Sequence, residues 1–121
     1  MLTKYSIQAE VMVWTYSTDG FYANPAGKKV NEVLISGILW EVWLNKDWHD
    51  TSGINDNNWT YLAFRSKENT TSVSFDMAEM LKFSVQNGYL KTNLYIADIQ
   101  LGNEVMSGAG ATWLKDYQVR R

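Results

Sequence analysis

Between Tyr5 and Tyr16 the residues alternate with period two, the pattern of a β-strand whose two faces meet different surroundings. Tyr5, Ile7, Ala9, Val11 and Val13 make one face, small and largely β-branched, which suits a core. The other face reads Ser6, Gln8, Glu10, Met12, Trp14 and Tyr16, a polar, acidic and aromatic mixture fit to receive a ligand. A turn region follows at Asp19-Gly20 and Asn24-Pro25-Ala26-Gly27, where proline fixes φ and the glycines permit positive φ. Further strands are predicted at Glu32 to Ser36, Leu39 to Leu44, Trp59 to Arg65, Ser72 to Phe75, Asn93 to Leu101 and Thr112 to Val119. The polar stretch from Asn45 to Asn58 reads as a loop too long for a simple hairpin. One helix is predicted, Met77 to Gln86. Asp76 and Glu79 form a capping-box-like start, Met77, Met80, Leu81 and Val85 recur on one face, and Asn87-Gly88 ends it. Many short strands with one short helix imply an all-β sandwich or barrel over a single domain, residues 1–121.

Composition narrows the function classes. A chain of 121 residues supports one hydrophobic core, and 45% apolar residues with a mean hydropathy of -0.31 mark a globular protein. No run approaches the roughly 18 apolar residues of a membrane span, and the residues ahead of the first strand do not read as a secretory leader, as those of a mature secreted form would not. The net charge of -2 arises from 13 acidic and 11 basic residues without a basic block, which argues against nucleic acid as a partner. There is no cysteine, hence no disulfide and no thiolate chemistry, and His49 is the single histidine. Asp47, His49 and Asp50 therefore read as a polar loop and not as a metal set, and no cofactor is expected. What stands out is the aromatic load of 6 Trp, 7 Tyr and 4 Phe, which either fills a sandwich core or stacks on sugar rings.

The predicted strand from Asn93 carries Asp98, Gln100, Gly102 and Glu104 at every second position. If it shares a sheet with the first strand, Glu104 and Glu10 look into one cleft. Paired carboxylates are what glycoside hydrolysis requires, one to attack the anomeric carbon and one to protonate the leaving oxygen. An exposed Glu is also ordinary strand decoration, and periodicity leaves that choice open.

The run Ala9-Glu10-Val11-Met12-Val13-Trp14 resembles the Glu-x-Met-x-Trp strand of glycoside hydrolase family 12, endo-β-1,4-glucanases of jelly-roll fold. Gln100-Leu101-Gly102-Asn103-Glu104 resembles the family's second catalytic strand, Gln-x-Gly-Thr-Glu. Between them the Pro25 turn, the Trp40-Glu41-Val42-Trp43 strand, the Trp59 to Phe64 strand and the helix follow in the family's order. The resemblance implies an antiparallel β-sandwich of jelly-roll, concanavalin-like type. It makes Glu10 the nucleophile and Glu104 the general acid/base of a retaining β-1,4-glucanase, with their carboxyl groups about 5 to 5.5 Å apart. Met12 then packs under the reacting sugar, Trp14 shapes the cleft, and Asp98 and Gln100 line it, Gln100 near the acid/base. Asn103 stands where the family has Thr.

Only the later part of the family pattern is covered, since the strands that precede the nucleophile strand in the family have no counterpart ahead of Glu10. A companion chain or a second copy is expected to complete the sandwich. The expected ligand is a β-glucan or cello-oligosaccharide, and a polymer of this kind favours a secreted, extracellular location. Two other functions fit the same features: a glucan-binding sandwich without turnover, and an assembly subunit completed by a partner. The triplets Asn58-Trp59-Thr60 and Asn69-Thr70-Thr71 match a glycosylation acceptor pattern that arises readily by chance.

Overall fold

The computed structural model describes residues 8–17, 24–50, 57–70 and 72–92. Four strands and a helix follow in chain order: β1 (Ala9–Trp14), β2 (Lys28–Ile35), β3 (Ile38–Asp50), β4 (Asn57–Ser66) and α1 (Met77–Gln86). The strands form one sheet in the order β1-β4-β3-β2. The β2–β3 and β3–β4 pairs are antiparallel, whereas β1 lies parallel to β4 with Glu10 opposite Tyr61 and Trp14 opposite Arg65. The described sheet is therefore mostly antiparallel, with one parallel pairing at β1. A parallel neighbour requires a crossover connection, and β1 reaches β4 only after the β2–β3 hairpin has been laid down.

That hairpin closes in two residues. Ser36 (φ 54) and Gly37 (φ 76) both adopt positive φ between the paired Ile35 and Ile38, the conformation whose twist matches the flanking strands. At the entrance to β2, Gly27 (φ 86) lies so close to β3 that a Cβ there would stand 2.4 Å from the Leu44 carbonyl oxygen. Only glycine fits this crossing of chain over strand.

One face of the sheet is the core. Ile35, Trp40, Val42, Leu62 and Phe64 are buried there together with Met80 of α1, and Val11, Val13, Val33 and Leu44 pack against them. The period-two reading of β1 thus points Val11 and Val13 inward as expected. Trp40 donates its indole N–H to the Ile35 carbonyl at 3.2 Å, so its burial leaves no polar atom unsatisfied. Edge-to-face ring contacts continue the layer, Trp40 with Phe75 at 5.7 Å and Phe64 with Phe83 at 6.2 Å. The helix has the predicted bounds. Asp76 caps it by accepting the Glu79 backbone N–H at 3.3 Å, and the Asp76 N–H donates to Ser36 Oγ at 3.0 Å, tying the helix start to the hairpin.

Two expected elements differ. Ser72 to Phe75 is not a strand, because its alternation serves a different end: Phe75 turns onto Trp40 while Val73 is exposed. The stretch assigned to a long loop after Asn45 is largely strand, with β3 running to Asp50 and β4 beginning at Asn57. A register shift between Asn45 and Trp48 absorbs one extra residue, and this bulge is what lets so polar a sequence continue the ladder. Predicted strands beyond residue 92 lie outside the described residues.

Candidate active site

The opposite face of the sheet carries three side-chain rows that run across the strands. One row holds Glu10, Tyr61 and Asn45; the next Met12, Ala63, Trp43 and Lys29; the third Trp14, Arg65, Glu41 and Glu32. Glu10, Met12 and Trp14 are thus brought onto one face of β1, all three half-buried. Asp98, Gln100 and Glu104 lie outside the described residues.

Glu10 has a specific partner. The indole Nε1–H of Trp59 donates to Glu10 Oε1 at 3.3 Å. Trp59 sits two residues before Tyr61 on the same face of β4, diagonal to Glu10, and the length of the indole spans that diagonal. Tyr61, directly beside Glu10, is 5% exposed. The β3 bulge begins at Asn45, in the row of Glu10, and a bulge of this kind bends its strand and increases the local twist.

The third row is charged and internally balanced. Glu41 and Glu32 stand opposite one another on neighbouring strands, a repulsive placement unless cations intervene. Arg65 Nη2 lies 2.8 Å from Glu41 Oε1, Lys29 Nζ lies 3.5 Å from Glu41 Oε2 and also binds Glu32, and Lys67 reaches Glu32 at 3.0 Å. Trp43 adds an indole N–H to Glu41 Oε1 at 3.1 Å, and the Arg65 guanidinium lies 5.7 Å from the Trp43 ring centroid. The hydrogen bond from Lys29, followed by that from Lys67, holds the Glu32 carboxyl below the usual carboxylate range, and the Glu32 bond in turn raises Lys29.

The alternation of β4 puts Trp59, Tyr61, Ala63 and Arg65 on one face. Sequence reasoning did not count Trp59 or Arg65 among the site residues, because nothing local says that this face adjoins Glu10. The parallel β1–β4 pairing supplies that link.

Among the described residues, no group of three or more His, Cys, Asp or Glu side chains could hold a metal ion, and no helix is long and apolar enough to cross a membrane. The described sheet thus has one core face backed by α1 and an opposite face rich in acidic and aromatic side chains. The model of the family described as "Glycosyl hydrolase family 12" matches residues 1–119. The chain belongs to glycosyl hydrolase family 12.

It is 30% identical over 106 residues to a probable xyloglucan-specific endo-beta-1,4-glucanase A of Aspergillus terreus, covering 85% of this chain and 38% of that protein. The xyloglucan-specific endo-beta-1,4-glucanase A of Emericella nidulans is 27% identical over 106 residues, covering 85% of this chain and 40% of its own length. In structure the chain is similar to an endoglucanase from Rhodothermus marinus, with TM-score 0.57 and 34% identity over 71% of this chain and 33% of that one. A family 12 xyloglucanase from Bacillus licheniformis shares the fold at TM-score 0.55. The chain therefore spans about two-fifths of the curated relatives it matches.

Proposed function

We propose that this chain carries the two carboxylates of a retaining endo-β-1,4-glucanase, Glu10 as nucleophile and Glu104 as general acid/base. The observation that carries the reading is the placement of Glu10: half-buried on the face of β1 opposite the core, in line with Met12 and Trp14, with one oxygen held by the Trp59 N–H. A carboxylate so placed is accessible to a sugar yet partly withdrawn from water, the setting in which it can add to an anomeric carbon. Membership of the family and the names of its relatives, endo-beta-1,4-glucanases among them, support a β-glucan backbone as the substrate class. Met12 lies under the reacting sugar, Trp14 beside it, and Asp98 and Gln100 line the cleft.

In the first step Glu10 displaces the leaving oxygen, which takes a proton from Glu104, and a covalent glycosyl ester forms. In the second, Glu104 deprotonates water, which attacks the same carbon and frees Glu10. No cofactor enters either step. The remaining cleft walls come from further strands, in a companion chain or a second copy, and a polymeric substrate places the enzyme outside the cell.

Substitution with isosteric amides tests the roles. Glu10→Gln is expected to abolish turnover of β-glucan and of aryl cellobiosides alike while cello-oligosaccharide still binds. Glu104→Gln is expected to lose glucan turnover but to retain the first step on aryl cellobiosides with good leaving groups, which need no proton. Full activity of both variants on glucan overturns the assignment of the two carboxylates, whereas glucan binding with no turnover by wild type leaves a binding sandwich.

A further inference from the structure

We infer that Trp59 is a positioning residue for the Glu10 carboxylate, fixing one oxygen through its indole N–H so that the other is presented to the anomeric carbon. The inference rests on Glu10 being the nucleophile. A glutamate on a strand has three side-chain torsions to lose, and a nucleophile attacks only from a narrow range of orientations. On β1 the neighbours of Glu10 on its own strand face are Gln8 and Met12, and the residue beside it in its row is Tyr61. The Trp59 N–H reaches Oε1 at 3.3 Å from the diagonal position, without approaching along the strand.

Trp59 is well placed to act as a fixed point. Its backbone is paired with Trp48 of β3, and the next residue, Thr60, donates its N–H to the Gln8 carbonyl of the β1 chain at 3.2 Å. The indole therefore hangs from a strand bonded on both sides, and its N–H can donate but not accept. A donor of this kind holds a carboxylate without competing for the sugar carbon. It also stabilises the carboxylate as leaving group when the glycosyl ester is hydrolysed, so both chemical steps use it.

The chemistry of the ring gives a discriminating pair of variants. Trp59→Phe keeps an aromatic ring and removes the N–H. Trp59→His keeps a five-membered ring whose Nε2–H occupies nearly the place of the indole Nε1–H, although the side chain is smaller. If Trp59 only fills space, Phe is the better replacement; if the N–H is what matters, His is. With an aryl cellobioside, Trp59→Phe is expected to lower kcat by about tenfold or more with KM within about twofold, and Trp59→His to recover a substantial part of the loss.

A second measurement reads the contact without turnover. In wild type the Trp59 indole N–H resonance, identified by its disappearance in Trp59→Phe, is expected to move upfield in Glu10→Ala, which removes the acceptor. Unchanged kcat in Trp59→Phe, a better kcat for Phe than for His, or an indole resonance indifferent to Glu10→Ala overturns the positioning role. Wild-type activity in Glu10→Gln overturns the nucleophile assignment itself, which is a separate outcome, because the resonance still reports whether the hydrogen bond exists.

Discussion

Arg65 and Glu41 face each other across β4 and β3 with Nη2 2.8 Å from Oε1, and their side chains are only 21% and 11% exposed. A pair so far withdrawn from water differs from an ordinary surface ion pair, since removing one member strands the charge of the other. Arg65→Met is expected to destabilise the fold by about 3 kcal/mol, because Glu41 is then left with Trp43 and the more distant Lys29. Glu41→Gln, which keeps a hydrogen-bonding group of the same size, is expected to cost less. Urea denaturation of both variants checks the order, and equal or negligible losses contradict it.

The outer part of the same network sets a weak pH dependence. Glu32 is ionised more readily in the folded chain than its ordinary value of 4.5 implies, so its contribution to stability is present above that value and fades as the pH falls below it. Lys29 is raised above 10.5, and its contribution is present below that value and fades at higher pH. Both groups are exposed, so salt screens the effect. Thermal melting of Glu32→Gln against wild type is expected to show a small deficit at neutral pH that closes in strong acid. A deficit that grows on acidification has the wrong sign.

Two glycines separate backbone strain from collision. Gly37 has φ 76 and nothing within 4 Å of where a Cβ would sit, whereas Gly27 has φ 86 and the Leu44 carbonyl oxygen at 2.4 Å. Gly37→Ala is expected to cost about 1 kcal/mol, the penalty of left-handed backbone alone. Gly27→Ala is expected to cost several times more, as the crossing over β3 must open. Chemical denaturation of the two variants side by side tests this, and similar losses show that the Gly27 crossing relaxes freely.

Asn69 continues the sheet with a side chain. It accepts the Ser17 N–H and donates to the Ser17 carbonyl, both at 3.0 Å, and the next residue donates its N–H to Thr15 at 2.8 Å. Asn69→Ala is expected to cost about 1 to 2 kcal/mol through the loss of both bonds. Hydrogen exchange at Ser17, faster in the variant than in wild type, is the direct readout.

The helix was legible to the residue because its signals are local: a capping aspartate, an apolar stripe and a glycine at φ 75 just beyond its end. The two faces of β1 were legible for the same reason, since alternation is written in neighbouring residues. Which strand lies beside Glu10 was not, because the β1–β4 pairing joins residues about fifty positions apart and parallel neighbours leave no turn signature. The continuation of β3 past Asn45 was hidden by the bulge, which places Lys46 and Asp47 where a loop composition is indistinguishable from a bent strand. Ser72 to Phe75 misled in the opposite direction, having the alternation of a strand without a partner strand among the described residues.

Covalent trapping tests the central claim most directly. The chain, alone and with any companion polypeptide that co-purifies, is treated with an activated 2-deoxy-2-fluoro cellobioside, which forms the glycosyl ester readily and hydrolyses it slowly. Peptide mass analysis is then expected to find one sugar adduct, on Glu10, absent in Glu10→Gln. An adduct on a different carboxylate, or turnover of β-glucan with no adduct, contradicts the account.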